Sequence, residues 1–416
     1  MDNFTIAILY MMVTIVSLMF TKIKTGKYFQ INIVYTILWL FIMFFSMNNS
    51  LNLLKPRLYI YVVILLSTVL FNLIFLLFYK KVKLNSIDYT GYSINTRKII
   101  CFNIVAYILF LPSIISAFKL IISNGFNLLL IRDTIYVGIT QSSNASVASI
   151  FLRTIPTAIF IFTEIVSSYY LVKRQNKRII IIGIVDVIVG TLIFGGRNFL
   201  LNYIIFYFFN YISNASKKIK LKKRYILLII IVLFFVTLSR DVSSISFMQT
   251  IILYFSGSLS FLEYILQNPL SYGLDMKHYG QLTFGFLTEP IAIILKSILG
   301  INAKVPSYYF NIYAQKFVDI GTTKKFLYNN NTTFWYPFML DFGINYAIFG
   351  AIIYFILICF VLNKKNSGNQ KFYFIYIYLC STIINSSVSY KLIGLSSTLI
   401  ILLILFTIEK RKKIER

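Results

Sequence analysis

Four arginines stand out by type and place. They are Arg132 in Ile-Arg-Asp-Thr-Ile-Tyr, Arg153 just inside an apolar run, Arg197 in a Gly-Gly-Arg turn, and Arg240 in Ser-Arg-Asp. A guanidinium grips phosphate through two parallel hydrogen bonds and keeps its charge, so several around one cavity would suit a diphosphate. Each also has a plainer reading, as partner of a nearby acid such as Asp133 or Asp241, or of a lipid headgroup. His278, in Asp-Met-Lys-His-Tyr, is the only histidine of the chain. A lone loop histidine is either solvated or a general base working near neutral pH. Asp341, in Asp-Phe-Gly, and Glu289 are the other candidate proton acceptors. An acid about two turns into an apolar helix is costly unless paired, so Asp341 asks for a partner. Just before it, Asn331, Thr333 and Tyr336 belong to Asn-Thr-Thr-Phe-Trp-Tyr, whose amide, hydroxyls and rings match the hydroxyls and apolar faces of a sugar. The same rings fit an interfacial aromatic belt, and with 31 Tyr and 40 Phe in the chain aromatics alone decide nothing.

Two acids lie deep in apolar runs. Glu164 follows Arg153 by eleven residues and Asp186 precedes Arg197 by eleven, which sets each pair on one helix face but roughly 16 Å apart along the axis. These acids could line a polar core, and a proton-coupled transporter would use the same residue types. With a single histidine, multi-histidine metal sites and HExxH chemistry are excluded, and no Walker A, GxSxG or GxGxxG pattern occurs. The three cysteines, Cys101, Cys359 and Cys380, form no CxxC pattern. No cofactor and no metal are expected.

The elements that must carry these residues follow from composition. The chain of 416 residues is 58% hydrophobic and 13% charged, too apolar for a soluble core with a charged exterior. Its apolar runs are long enough for helices that cross a bilayer core of about 30 Å, and too uniform for barrel strands. The reading is an all-α polytopic membrane protein with about eleven transmembrane helices, near 4–21, 28–47, 57–79, 99–121, 148–172, 179–195, 198–213, 225–239, 334–362, 371–387 and 392–408. Thirteen is the alternative. Residues 1–239 would form a bundle of about eight helices, 240–333 a long external loop, and 334–416 three helices and a short basic cytoplasmic tail. Within the loop, 247–266 and 282–299 are apolar enough to lie in the interface or to re-enter the membrane.

The net charge of +27 then reads as a topology signal, with no call for nucleic acid. Alternate connections carry the basic clusters, such as Lys22/Lys24/Lys27, Lys80 to Lys98, Lys173 to Arg178, Lys217 to Arg224, Lys364 to Lys371 and the tail. The others hold one or two charges each: Lys55 with Arg57, Lys119 with Arg132, Arg197, and Lys391. By the positive-inside rule this places the N-terminus outside and the C-terminus inside, in an inner or plasma membrane, with the four arginines toward the outer face.

Gly-Gly-Arg197 before a short helix, Tyr254-Phe255-Ser256-Gly257 at the start of the loop, and Asn331-Thr332-Thr333-Phe334 leading to Asp341-Phe342-Gly343 resemble the O-antigen and capsule oligosaccharide repeat-unit polymerases of the Wzy type. The resemblance implies an inverting, metal-independent glycosyl transfer on the external face, with undecaprenyl-diphosphate-linked glycans as substrates. It leaves room for a flippase and a chain-length regulator as partners beside the membrane lipids. Under it, Arg132, Arg153, Arg197 and Arg240 would hold the diphosphate, Asn331, Thr333 and Tyr336 the sugar, and His278, Asp341 or Glu289 would take the proton of the attacking hydroxyl. A polysaccharide ligase of related build, a lipid-linked oligosaccharide flippase or other transporter, and a non-catalytic scaffold for a glycan-assembly complex are the rival readings.

Overall fold

A computed structural model describes residues 3–80, 91–124, 147–194, 196–214, 247–297, 299–301, 303, 305–314, 317–328 and 332–410. The helices are α1 (Asn3–Thr25), α2 (Ile31–Asn48), α3 (Leu58–Phe78), α4 (Thr96–Asn124), α5 (Val147–Lys173), α6 (Lys177–Phe194), α7 (Asn198–Asn214), α8 (Phe247–Gln267), α9 (Gly285–Ser297), α10 (Pro306–Ala314), α11 (Trp335–Phe342), α12 (Ala347–Asn366), α13 (Gln370–Ile384) and α14 (Leu395–Thr407). Four short strands complete the described fold: β1 (Tyr92–Ile94), β2 (Val318–Asp319), β3 (Leu327–Tyr328) and β4 (Ile408–Lys410). Six of the described helices are long and apolar enough to cross a membrane: Phe4–Thr25, Ile31–Asn48, Leu58–Phe78, Thr96–Ser123, Leu152–Lys173 and Ile344–Asn366. The chain is thus mostly helical with the helices of a membrane protein. Span 225–239 lies outside the described residues.

The chain packs as two compact units that do not follow sequence order, one of residues 1–88 and 248–397, the other of residues 89–247 and 398–416. In the first, α1, α2 and α3 are joined by polar side chains that apolar surroundings force to pair. The Tyr10 and Thr68 hydroxyls lie 2.7 Å apart, and Asn32 donates to both Thr21 and Asn72 at 2.8 Å. Such contacts within a membrane are worth on the order of 1 kcal/mol each. Beside them Phe71 stacks on Phe355 of α12 at 4.2 Å, and Tyr35 meets both rings edge-on at 5.3 Å.

Connections that the charge pattern sets apart also meet at opposite ends of this unit. At one end the 49–57 turn meets the β2–β3 hairpin, where Leu54 N donates to Ile320 O at 2.7 Å and Thr322 N to Asn52 O at 2.8 Å, and the chain leading into α11 meets the 385–395 turn, where Phe334 N donates to Ser386 O at 2.8 Å. At the other end Lys80 N donates to Asn363 Oδ1 at 3.0 Å and Asn363 Nδ2 to Phe78 O at 2.6 Å. Helix α8 runs along the first of these ends. Its Phe255 stacks on Phe45 at the close of α2, its Gly257 faces Tyr328 of the hairpin, and its Glu263 holds Arg57 at the start of α3. Helix α9, at 13 residues, spans about 20 Å and is too short to cross the membrane core.

One expected element is corrected. The apolar run 334–362 is two helices: α11, of 8 residues, ends at Gly343, and α12 follows a short 3-10 turn. Gly343 sits at φ +85, a conformation glycine adopts freely and other residues resist, so the chain turns there. Residues Trp335 to Asp341 are buried among protein side chains. An apolar run looks the same whether protein or lipid covers it, which is why the sequence reads as one span.

In the second unit α5 packs on α6, α7 and α4. The interruption between α6 and α7 falls at Gly196-Arg197, leaving two helices of 18 and 17 residues. Strands β1 and β4 pair antiparallel, Tyr92 with Lys410 and Ile94 with Ile408, and tie the start of α4 to the end of α14. Lys98 Nζ lies 2.7 Å from Glu409 beside this pairing.

Candidate functional site

Asp341 stands at the end of α11, seventh of its 8 residues, and is 1% exposed. Its position two turns inside a membrane helix, expected from sequence, is replaced by one at the edge of a folded cap. Three donors from the segment before α9 converge on its carboxylate. Leu282 N reaches Oδ1 at 3.1 Å, and both Thr283 N and Thr283 Oγ1 reach Oδ2 at 2.6 Å. The strand of chain ahead of them is sewn to the same helix end, with His278 N donating to Leu340 O at 3.0 Å and Tyr279 N to Asp341 O at 3.1 Å.

This brings His278 and Asp341 together across 62 intervening positions, within electrostatic reach of one another. Burial pushes the Asp341 carboxyl above the usual carboxylate range, against the pull of its three donors and of His278. The His278 side chain is buried, while Lys277, Tyr279 and Phe284 around it are exposed. Tyr279 adopts φ +49, a left-handed conformation that turns the chain so that neighbouring side chains face opposite ways.

Glu289 lies one helix away, in α9, and is 3% exposed. Its Oε1 accepts from Ser307 Oγ at 2.8 Å and Leu395 N at 3.1 Å, and its Oε2 from Ser307 N at 3.0 Å. A carboxylate at the first turns of two helices satisfies backbone N–H groups that the helices leave unpaired. Glu289 is therefore fully occupied in joining α9, α10 and α14. Burial pushes its carboxyl up while these donors pull it down.

Thr333 and Tyr336 are equally committed within the fold. Thr333 Oγ1 accepts from Trp335 N at 3.2 Å at the start of α11, and its N–H donates to Val388 O at 3.1 Å. Tyr336 is fully buried and donates its hydroxyl to Tyr272 O at 2.7 Å. Rings open at this end of the unit are Tyr279, Phe284 and Tyr308, which sequence reasoning passed over. Asn331 lies outside the described residues.

Sequence reasoning also missed the pair that fixes α8. Glu263, 3% exposed, is gripped by Arg57 through Nε at 3.0 Å and NH2 at 2.8 Å, and accepts from the Arg57 backbone N–H at 2.9 Å. An acid in an otherwise apolar run is the signal for a partner, while Arg57 reads in the sequence as one more topology charge.

Of the arginines, Arg153 and Arg197 belong to the second unit, and Arg132 and Arg240 lie outside the described residues. The guanidinium of Arg153 stands 5.6 Å from the centre of the Phe194 ring, three residues before Arg197. Phe194 in turn packs on Phe110 and Phe199. The start of α5 and the α6–α7 turn thus bring the two arginines to one end of the bundle, both half-buried. Arg97, Lys98, Lys177 and Arg178 cluster at the other end, where a cavity of about 550 Å³ is lined by Thr96, Arg97, Asn176, Lys177 and Arg178. Comparison of the chain with protein-family models, with curated proteins and with solved structures gives no match.

Proposed function

We propose that the protein polymerises undecaprenyl-diphosphate-linked oligosaccharide repeat units of a surface polysaccharide, by inverting, metal-independent glycosyl transfer at the outer face of a bacterial inner or plasma membrane. The observation that carries this reading is the dyad of His278 and Asp341, seated by a folded cap with open aromatic side chains around it. In the proposed reaction a hydroxyl at the non-reducing end of a new lipid-linked unit attacks the anomeric carbon of the growing glycan. The bond from that carbon to the diphosphate breaks, and the lipid diphosphate leaves with the electron pair. His278 takes the proton of the attacking hydroxyl, with Asp341 favouring the resulting imidazolium and holding the loop in place. In this reading the diphosphate falls to arginine guanidiniums, whose fixed charge would stabilise the charge that develops on the leaving group. Tyr279 and Phe284 offer ring faces to the sugars.

The eleven-span, N-out and C-in arrangement belongs to this proposal. It is supported by the way connections of like charge gather at one end of the first unit, and by a helix α8 that runs along that end. The test is reconstitution with labelled lipid-linked repeat units of the cognate polysaccharide. Polymerase activity converts the label into a ladder of lengths on the same lipid. Label moved across the bilayer without bond formation would identify a transporter, and label passed whole to a different acceptor would identify a ligase.

A further inference from the structure

The proposed transfer makes no use of the two deepest acids of the second unit. Glu164, in the middle of α5, and Asp186, in α6, are both 0% exposed. Neither oxygen of Glu164 has a hydrogen-bond partner, nor does Oδ2 of Asp186. Oδ1 of Asp186 accepts from the Tyr107 hydroxyl of α4. The two carboxyls lie within electrostatic reach of one another, and the Tyr203 hydroxyl of α7, 3.1 Å from Ser167 Oγ, lies within reach of Glu164. One turn along α4 from Tyr107, Asn103 donates to Thr163 Oγ1 at 2.8 Å while its own Oδ1 has no partner.

Among the described residues no lysine or arginine contributes to the electrostatics of either acid. Phe160 and Ile165 on α5 and Val187 on α6, beside the two acids in sequence, are buried, and α5 and α6 touch so closely that a Cβ on Gly183 would lie 2.3 Å from Ser167 Cβ. Arg153 is eleven residues from Glu164, roughly 16 Å along the helix, and Lys177 is nine from Asp186, roughly 14 Å. Among the described residues, the titratable groups facing the pair from the packed helices are Tyr107 on α4 and Tyr203 on α7. Two carboxylates left bare in an apolar bundle are strongly unfavourable, so something positive must sit with them. Carboxylate and hydroxyl oxygens with neither imidazole nor thiolate among them suit a small hard ion.

We propose that Glu164 and Asp186 form a buried site for one small hard cation, a sodium ion or a proton, with Tyr107 and Tyr203 completing the polar layer between α4, α5, α6 and α7. Such a site gives the bundle a means of responding to the ion gradient of its membrane. It stands whether or not the protein forms glycosidic bonds.

The test uses the full-length protein in lipid nanodiscs and a hydrophobic carbodiimide, which modifies membrane-buried carboxyls and is located by peptide mass spectrometry. The expected result is modification at Glu164 that saturating sodium suppresses several-fold. Where the ion is the proton, modification instead rises several-fold as pH falls, because the carbodiimide takes the carboxyl proton before it forms the O-acylisourea. Suppression by sodium chloride at fixed pH, but not by choline chloride of equal ionic strength, identifies sodium; a response to pH alone identifies the proton. Both responses should vanish in Glu164→Gln and weaken in Asp186→Asn. Modification or thermal midpoint in wild type indifferent to sodium and to pH would overturn the proposal, as would a thermal response that persists unchanged in Glu164→Gln.

Discussion

Thr283 donates twice to one oxygen of Asp341, through its backbone N–H and its hydroxyl, both at 2.6 Å. The pair fixes the chain that carries His278 against the end of α11. Thr283→Val removes the hydroxyl and leaves a buried carboxylate short of a donor, a loss of about 2 kcal/mol. Thr283→Ser should stay close to wild type. If Asp341 acts by positioning, as the proposed reaction has it, Thr283→Val and Asp341→Asn should depress chain growth together. Full activity in Thr283→Val with none in Asp341→Asn would instead make Asp341 the base itself.

Arg57 and Glu263 anchor α8 to the start of α3. The guanidinium side is 47% exposed and screened by water, but the carboxylate is 3% exposed and would be stranded by loss of its partner. A double-mutant cycle with Arg57→Ala and Glu263→Gln, read from thermal unfolding in detergent, should return a coupling of about 1–2 kcal/mol. A coupling near zero would mean that α8 is held by apolar contacts such as Phe255 on Phe45.

Gly285 begins α9 directly against the backbone of Ile393, where a Cβ would lie 2.3 Å from the carbonyl oxygen. Backbone cannot move aside as a flexible side chain can, so Gly285→Ala should lower the yield of folded protein and its thermal midpoint. Gly91, with open space around it, is the control, and Gly91→Ala should leave both unchanged. Size-exclusion profiles of the two variants make the comparison.

Asp319 closes the β2–β3 hairpin by accepting from Gly321 N at 3.0 Å and Phe326 N at 2.9 Å, and these donors hold its carboxyl below the usual carboxylate range. A carboxyl with a lowered value in the fold stabilises it above the usual carboxylate range, and that stabilisation fades as pH falls through the lowered value. The protection of the Leu54 and Thr322 amides, which dock the hairpin, should therefore fall on acidification once the intrinsic exchange rate at each pH is divided out. Asp319→Asn should show lower protection at neutral pH and no further loss of it on acidification.

Much of the fold was legible because apolar length and basic clusters are local signals. The helices from α1 to α7 and the Gly196-Arg197 interruption follow from them. The rest depended on contacts between distant positions. Arg57 and Glu263 are separated by more than 200 residues, and nothing in either segment names the other. The same holds for Tyr107 and Asp186, whose contact turns an isolated intramembrane acid into part of a polar layer. Thr333 and Tyr336 looked like sugar ligands because hydroxyls and rings serve equally to bind a sugar or to fill a core. Their burial assigns them to the core.

Bond formation is the central claim, and its most direct measurement is product stoichiometry. With purified protein, one cognate lipid-linked repeat unit and no other acceptor, mass spectrometry should detect two repeat units on one lipid diphosphate. One free lipid diphosphate should appear for each bond made, and both products should fall at least tenfold in His278→Ala and Arg197→Lys at equal protein level. Lipid-linked units that remain single with cognate substrate, while no lipid diphosphate is released, would contradict the account.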